Sequence, residues 1–223
     1  MRVLGLDAAT AACSAALVED GRVLAREVMP MEHGHGQALV PMVLRVMGGR
    51  PFCDLDAIGV TRGPGRFTGI RVALATARGL GLAAARPVFG VTTFAAVART
   101  AGLPPGATKL LVLIESKRRD LYAQLFSSAR EPLAEAAALL PEDLAAYAGA
   151  GPLALAGDGA ERAAPALAAA QFAAGPRTPD PAAVAALAAE ALARSGPPAA
   201  PPAAYYLRAP DVSFPKRRQG EHP

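Results

Sequence analysis

Tryptophan is absent and aromatic residues make up only 5% of the 223 residues. The apolar fraction, 52%, rests largely on alanine. That pattern fits tightly packed helices and equally a biased codon supply. Two cysteines, Cys13 and Cys53, are too few for a secreted disulfide framework, so reduced thiols are expected. No apolar run approaches the roughly 18 residues needed to cross a membrane. The start, MRVLGLDAAT, lacks a basic stretch followed by an apolar core and cleavage site, so a soluble cytoplasmic protein is expected. Three histidines, His33, His35 and His222, lack the i, i+3 or i, i+4 spacing of a helical zinc site. The first two read as exposed loop residues. There is no Walker A pattern, no GxSxG and no paired-cysteine motif, and nothing joins a nucleophile to a base. The net charge of +4 is mild and lies partly in the last residues, PKRRQGEHP. A nucleic-acid-binding domain usually concentrates a larger basic excess, so a solvated tail is the plainer reading.

What is present reads as α/β. MRVLGLD, CSAALVE and RVLAREVM are strands, with EDG (19–21) as a hairpin turn. Gln37 to Met47 has helical length, stops at Gly48-Gly49, and is apolar nearly all round, which predicts burial on more than one side. Pro41 should kink this helix or lie in its first turn. A strand over Ala57–Thr61, a glycine loop, a long helix, a strand at PVFGVTT and a helix at TFAAVARTAG complete a mixed sheet flanked by helices. After the linker AGLPPGAT the chain restarts. KLLVLIESKRRDLYAQLF repeats the order of apolar run, acid, turn and apolar run seen in VLGLDAATAACSAALV. PLALAGDGAE is a strand with a glycine turn, and Asp180, Pro181 and Gly196 bracket a helix. PPAAPPAAYYLR closes the ordered chain as an extended segment. The expected organisation is a first lobe over 1–100, a degenerate second lobe over 101–208, and a basic tail over 209–223 expected to be disordered.

Two features could carry function. Asp7 ends the first strand beside small residues, where a carboxylate suits Mg²⁺ near phosphate or simply caps a turn. A two-metal nuclease would need Asp7, Glu27, Glu115 and Asp158 to converge, and only Asp7 has a prepared setting. The loop Gly63-Pro64-Gly65 precedes a helix start, with Arg62, Arg66 and Arg71 nearby, but it lacks the lysine and spacing of a phosphate cradle. The helix beyond it carries Gly69, Gly79 and Gly81. Each interior glycine costs about 1 kcal/mol against alanine, a cost that persists where another backbone must come close. Two adjacent helices with more apolar and small surface than one sheet can cover imply either a partner surface or a doubly packed core.

The segments LGLDAATAACSAALVEDG, HGQALVPMV, DLDAIGVTRGPGRFTGIRVALATARGLGLAAARPVFGVTT, IESKRRDLYAQLF and AAYYLRAP resemble the bacterial TsaB (YeaZ) family along almost the whole chain. The most specific block is Gly63-Pro64-Gly65-Arg66-Phe67-Thr68-Gly69-Ile70-Arg71. The resemblance implies two actin-like (ASKHA, ribonuclease H-type) lobes. It also implies a part in making threonylcarbamoyladenosine on tRNA, as a non-catalytic paralogue that activates the metal-bearing transferase TsaD. A TsaE-type ATPase would join that pair, the chain would form a homodimer when alone, and tRNA would be met indirectly. No cofactor or metal is expected: Thr93-Phe94-Ala95-Ala96-Val97 stands where the transferase has its metal histidines. Glu115-Ser116-Lys117 replaces the family's Asp-Ala-Arg, and Arg66 replaces a small residue. The implied interface comprises Gln37, Val40, Val43, Leu44 and Met47 on one helix with Phe67, Ile70, Arg71, Leu74 and Arg78 on the other. Leu74→Arg is expected to leave a folded monomer that cannot dock. Asp7, Thr10, Gly63 and Gly65 mark a vestigial nucleotide site. The rival reading is an actin-like ATPase or phosphotransferase using ATP and Mg²⁺; a metallopeptidase is argued against by the histidine spacing.

Overall fold

A computed structural model describes residues 1–208, and the tail expected to be disordered lies outside them. Strands β1 (Arg2–Asp7), β2 (Ala12–Glu19) and β3 (Arg22–Pro30) form the antiparallel meander, with Arg2 opposite Glu19 and Asp7 opposite Ser14. Asp20 and Gly21 both have positive φ, the turn geometry that matches the twist of a two-residue hairpin. Helix α1 (His35–Met47) follows. Pro41 lies inside it rather than in its first turn, on the exposed side. Then come β4 (Ala57–Thr61), α2 (Phe67–Ala84), β5 (Val88–Val91) and α3 (Thr93–Thr100). The sheet order is β3-β2-β1-β4-β5, with β4 parallel to β1 and β5 parallel to β4.

The restart is a duplication of topology. Strands β6 (Lys109–Glu115), β7 (Leu121–Ser127) and β8 (Ala137–Leu139) form a second meander. After the short helix α4 (Leu144–Ala148), β9 (Leu153–Ala156) adds parallel to β6. The short helix α5 (Ala160–Ala163) leads to β10 (Gln171–Phe172), parallel to β9. The second sheet, β10-β9-β6-β7-β8, is the first read in reverse.

Strands divide between the lobes near residue 100, but helices do not. The last helix, α6 (Pro181–Ser195), expected within the second lobe, packs on the first sheet. It buries Ala183, Val184, Ala185 and Ala188, while α1 and α2 cover the other face. Glycines in the strands permit this close approach. A Cβ on Gly5 would lie 2.0 Å from the Pro181 carbonyl oxygen, and one on Gly59 would lie 2.7 Å from that of Val184. Conversely, α3 packs on the second sheet, where Phe94, Val97 and Ala98 join Leu110, Val112 and Ile114. Asp180 caps α6 as expected, its carboxylate accepting from the Ala182 N–H at 2.9 Å. Among the described residues, no helix is long and apolar enough to cross a membrane.

Candidate functional site

Helix α1 turns Leu39, Met42, Val43, Val46 and Met47 into the first core. The burial expected on more than one side occurs on one side only. The opposite side leaves Val40 at 44% and Leu44 at 57% exposure, beside exposed Gln37. Helix α2 does the same: Ile70, Ala73, Leu74, Ala77 and Gly81 face the sheet. Its outer face presents Arg71, Ala75, Arg78, Gly79 and Leu82, spaced i, i+4, i+7, i+8 and i+11, one face of a 3.6-residue helix. Leu82 is 86% exposed.

Four expected interface anchors are therefore corrected. Val43, Met47, Ile70 and Leu74 lie in the core of their own lobe, because at i, i+3 and i+4 spacing they share the sheet-facing side. The expectation that Leu74→Arg leaves a folded protein falls with them. Leu82 and Gly79 were missed as surface residues, although their spacing from Arg71 and Arg78 signals the same face.

The N-terminal flank of that face is assembled from distant chain. The Arg71 guanidinium lies 3.7 Å from the centroid of the Phe67 ring, and its Nε donates to the Tyr206 hydroxyl at 3.2 Å. The rings of Phe67 and Tyr206 are 5.4 Å apart. Arg78 donates to the Pro202 carbonyl at 2.5 Å. The closing segment thus lies along α2, and Tyr205 and Leu207 pack against the second core.

The glycine loop serves the same kind of close contact. Arg66 N–H donates to the Ala9 carbonyl at 2.7 Å. A Cβ on Gly65 would lie 2.1 Å from that oxygen, one on Gly69 1.8 Å from the Ala8 oxygen, and one on Gly63 2.4 Å from the Tyr205 oxygen. These glycines admit the protein's own backbone where a phosphate would have to approach the loop.

Asp7 and Thr10 lie buried beneath this packing. One Asp7 oxygen accepts from the Ala9 N–H at 3.0 Å and from the Thr61 hydroxyl, while Oδ2 has no partner. Burial pushes the Asp7 carboxyl up to about 7, opposed by those two bonds and aided by the charge of Asp158. Asp158 accepts from the Glu115 N–H at 2.9 Å and is itself raised by burial to about 6. The residues fit Mg²⁺ poorly: Asp7 is fully buried, one of its oxygens is already taken by the Ala9 N–H and the Thr61 hydroxyl, and among the described residues no further carboxylates or histidines complete an oxygen-rich set around it. Nor do the four nuclease candidates converge. Glu115 pairs with Arg162 at 2.9 Å, and Glu27 with Arg45 at 2.7 Å out on β3. Of the loop histidines, His33 is exposed, but His35 is buried as the first residue of α1, which lowers its pKa. Among the described residues no group of three or more His, Cys, Asp or Glu is placed to hold a metal.

Two copies of one strand plan, with α3 and α6 exchanged between them, define a two-lobed α/β protein of the actin-like, ribonuclease H type. Residues 28–164 match the family model described as TsaD, tRNA N6-adenosine threonylcarbamoyltransferase. A Pseudomonas aeruginosa protein described as uncharacterized with similarity to peptidase YeaZ is 30% identical. It superposes with a TM-score of 0.79 over 93% of this chain and 99% of that one. YeaZ from the same organism is 29% identical, with a TM-score of 0.74 over 88% and 94%. The Escherichia coli (strain K12) tRNA threonylcarbamoyladenosine biosynthesis protein TsaB is 41% identical over 125 residues, 55% of this chain and 53% of that protein. The chain belongs to the TsaB (YeaZ) family. Its matches span about half the length of the curated relatives.

Proposed function

We propose that this chain is a non-catalytic subunit in the synthesis of threonylcarbamoyladenosine on tRNA. It docks to a TsaD-type transferase through the outer faces of α1 and α2, acts in the cytoplasm, and meets tRNA through the assembled complex. The carrying observation is the open apolar face. Leu44 and Leu82 stand largely in solvent on neighbouring helices, with Val40 exposed one turn before Leu44 and the small residues Ala75, Gly79 and Ala83 exposed on α2. Large aliphatic side chains flanked by small residues suit the close approach of a partner's helices. An ordinary interface would cover about 800 Å² on each side. The same face supports a homodimer when the transferase is absent, and a TsaE-type ATPase is the expected third member.

The reading of an ATP- and Mg²⁺-dependent enzyme is disfavoured by the packing of Gly65 and Gly69 on Ala8 and Ala9, and by the buried Asp7. The test is co-expression of Leu82→Arg and Leu44→Arg variants with the transferase of the same cell. Both positions are exposed, so both variants should fold normally. Each should lose co-purification and fail to support tRNA modification. Wild-type co-purification by both would reject the face. Micromolar ATP binding to the isolated chain, abolished in Asp7→Asn, would restore the enzymatic reading.

A further inference from the structure

The turn joining β6 to β7 carries three consecutive cations, Lys117, Arg118 and Arg119, all exposed. A run of charge on a loop is ordinarily a solvated surface. This one is built differently, because its backbone is held from beneath. The Arg162 guanidinium donates to three successive carbonyls of the turn: Arg118 at 2.8 Å, Arg119 at 3.0 Å and Asp120 at 2.6 Å. Its Nε is anchored on Glu115 at 2.9 Å. The Ser116 hydroxyl donates to the Asp120 carbonyl at 2.6 Å and accepts from the Arg118 N–H at 3.1 Å. Lys117 is held in the left-handed region, φ 61°. The half-buried Arg162 satisfies the turn's carbonyls while the turn's own cations stand exposed.

Beside the turn is an open cavity of about 520 Å³, lined by Arg118, Arg119 and Arg208 with Asp120 and Asp143. Arg208 is positioned by Asp120, at 3.1 Å. The three lining arginines outnumber the two lining acids, and Lys117 stands next to them. Its pair with Glu32, 3.8 Å apart and exposed, is weak. Planar guanidinium groups match phosphate in a fork geometry that lysine cannot reproduce. Volume, charge and rigidity together suit one segment of a phosphodiester backbone.

We infer that the β6–β7 turn and Arg208 form a positioning site for the phosphodiester backbone of the RNA that the complex modifies. This rests on the reading of the chain as a subunit of an RNA-modifying complex. It places a direct RNA contact on the second lobe, on elements separate from the α1–α2 face. Such contacts fix register rather than read sequence, and their signature is salt dependence.

The experiment uses the full-length chain co-purified with its transferase and measures binding of unmodified tRNA by fluorescence anisotropy across a salt series. The Lys117→Gln/Arg119→Gln double variant should co-purify normally. It should flatten the slope of log affinity against log salt by about 2, roughly one for each lost phosphate contact. Arg162→Lys keeps the local charge but loses the guanidinium fork that holds three carbonyls of the turn, so it should weaken binding at fixed salt. ATP and pyrophosphate at millimolar concentration should not displace the RNA. An unchanged slope in the double variant overturns the site. Displacement by pyrophosphate overturns the choice of RNA in favour of a small phosphate ligand. Loss of co-purification in the double variant overturns the separation of this site from the docking face, and is read independently of the RNA signal.

Discussion

Asp7→Asn should make the protein more stable above neutral pH and should flatten its stability profile in mild acid. The wild-type carboxyl is wholly buried and its acidity shifts from 3.8 to about 7. A folded-state acid weaker than its unfolded counterpart keeps a proton that the unfolded chain has released. The stability it contributes is therefore complete below about pH 4 and is lost as pH rises through 7. Integrated across that interval, the loss is about 4 kcal/mol as an upper bound. Asparagine cannot ionise, and its oxygen can still accept from the Ala9 N–H and the Thr61 hydroxyl. Variant and wild type should nearly coincide at pH 4 and then diverge, with the variant ahead by about 2–4 kcal/mol at pH 8. Urea unfolding followed by circular dichroism measures this without tryptophan. The difference between the two proteins is the quantity to read, because Glu27 and Glu32, whose carboxyls are held low by Arg45 and Arg66, act in the opposite sense in both. Parallel pH profiles for the two proteins would refute the reasoning.

Gly69→Ala should destabilise the chain by about 1–3 kcal/mol despite alanine's better helix propensity, since the added carbon meets a carbonyl oxygen that only a backbone shift can move; a thermal melt at or above wild type would contradict the close packing. Gly79→Leu should do the reverse in isolation, gaining close to 1 kcal/mol, because no atom lies within 4 Å of its Cβ position. The same variant should lose co-purification with the transferase, and normal recovery of the complex would count against the docking face. Leu74→Arg should abolish folding by burying an unpaired charge, whereas Leu82→Arg should leave circular dichroism unchanged; a soluble, folded Leu74→Arg protein would contradict the burial of that side chain.

Much of the fold was legible locally. Strand runs, the Asp20-Gly21 turn and the Asp180-Pro181 helix start are short-range signals, and each appears where the sequence placed it. The position of α6 is set instead by a contact across most of the chain. Gly5 and Gly59 inside buried strands were the available sign that some backbone must come close, but they do not name which one. The α1 anchors were misplaced because that helix is apolar nearly all round. Its pattern alone could not choose which side meets the sheet, so Val43 and Met47 were grouped with Val40 and Leu44. On α2, Arg71 and Arg78 did mark the outer face, while Ile70 and Leu74 belong to the inner one.

The glycines carry the remaining distinction. Gly5, Gly59, Gly63, Gly65 and Gly69 each sit where a Cβ would fall within 3 Å of a carbonyl oxygen from a distant part of the chain. Their cost in conformational freedom is offset inside the folded molecule. Gly79 has no such contact, yet it occupies the middle of an eighteen-residue helix, where it costs about 1 kcal/mol against alanine. It is exposed one turn from Leu82, the most exposed large hydrophobic residue among those described. A helix-weakening residue and a solvated leucine are each unremarkable alone. Side by side on the face proposed for docking, both would be offset by the backbone of a partner lying against α2. The glycine loop and the first turn of α2 thus use glycine for close backbone approach within the chain, whereas Gly79, on the face proposed for docking, leaves room for the backbone of a partner.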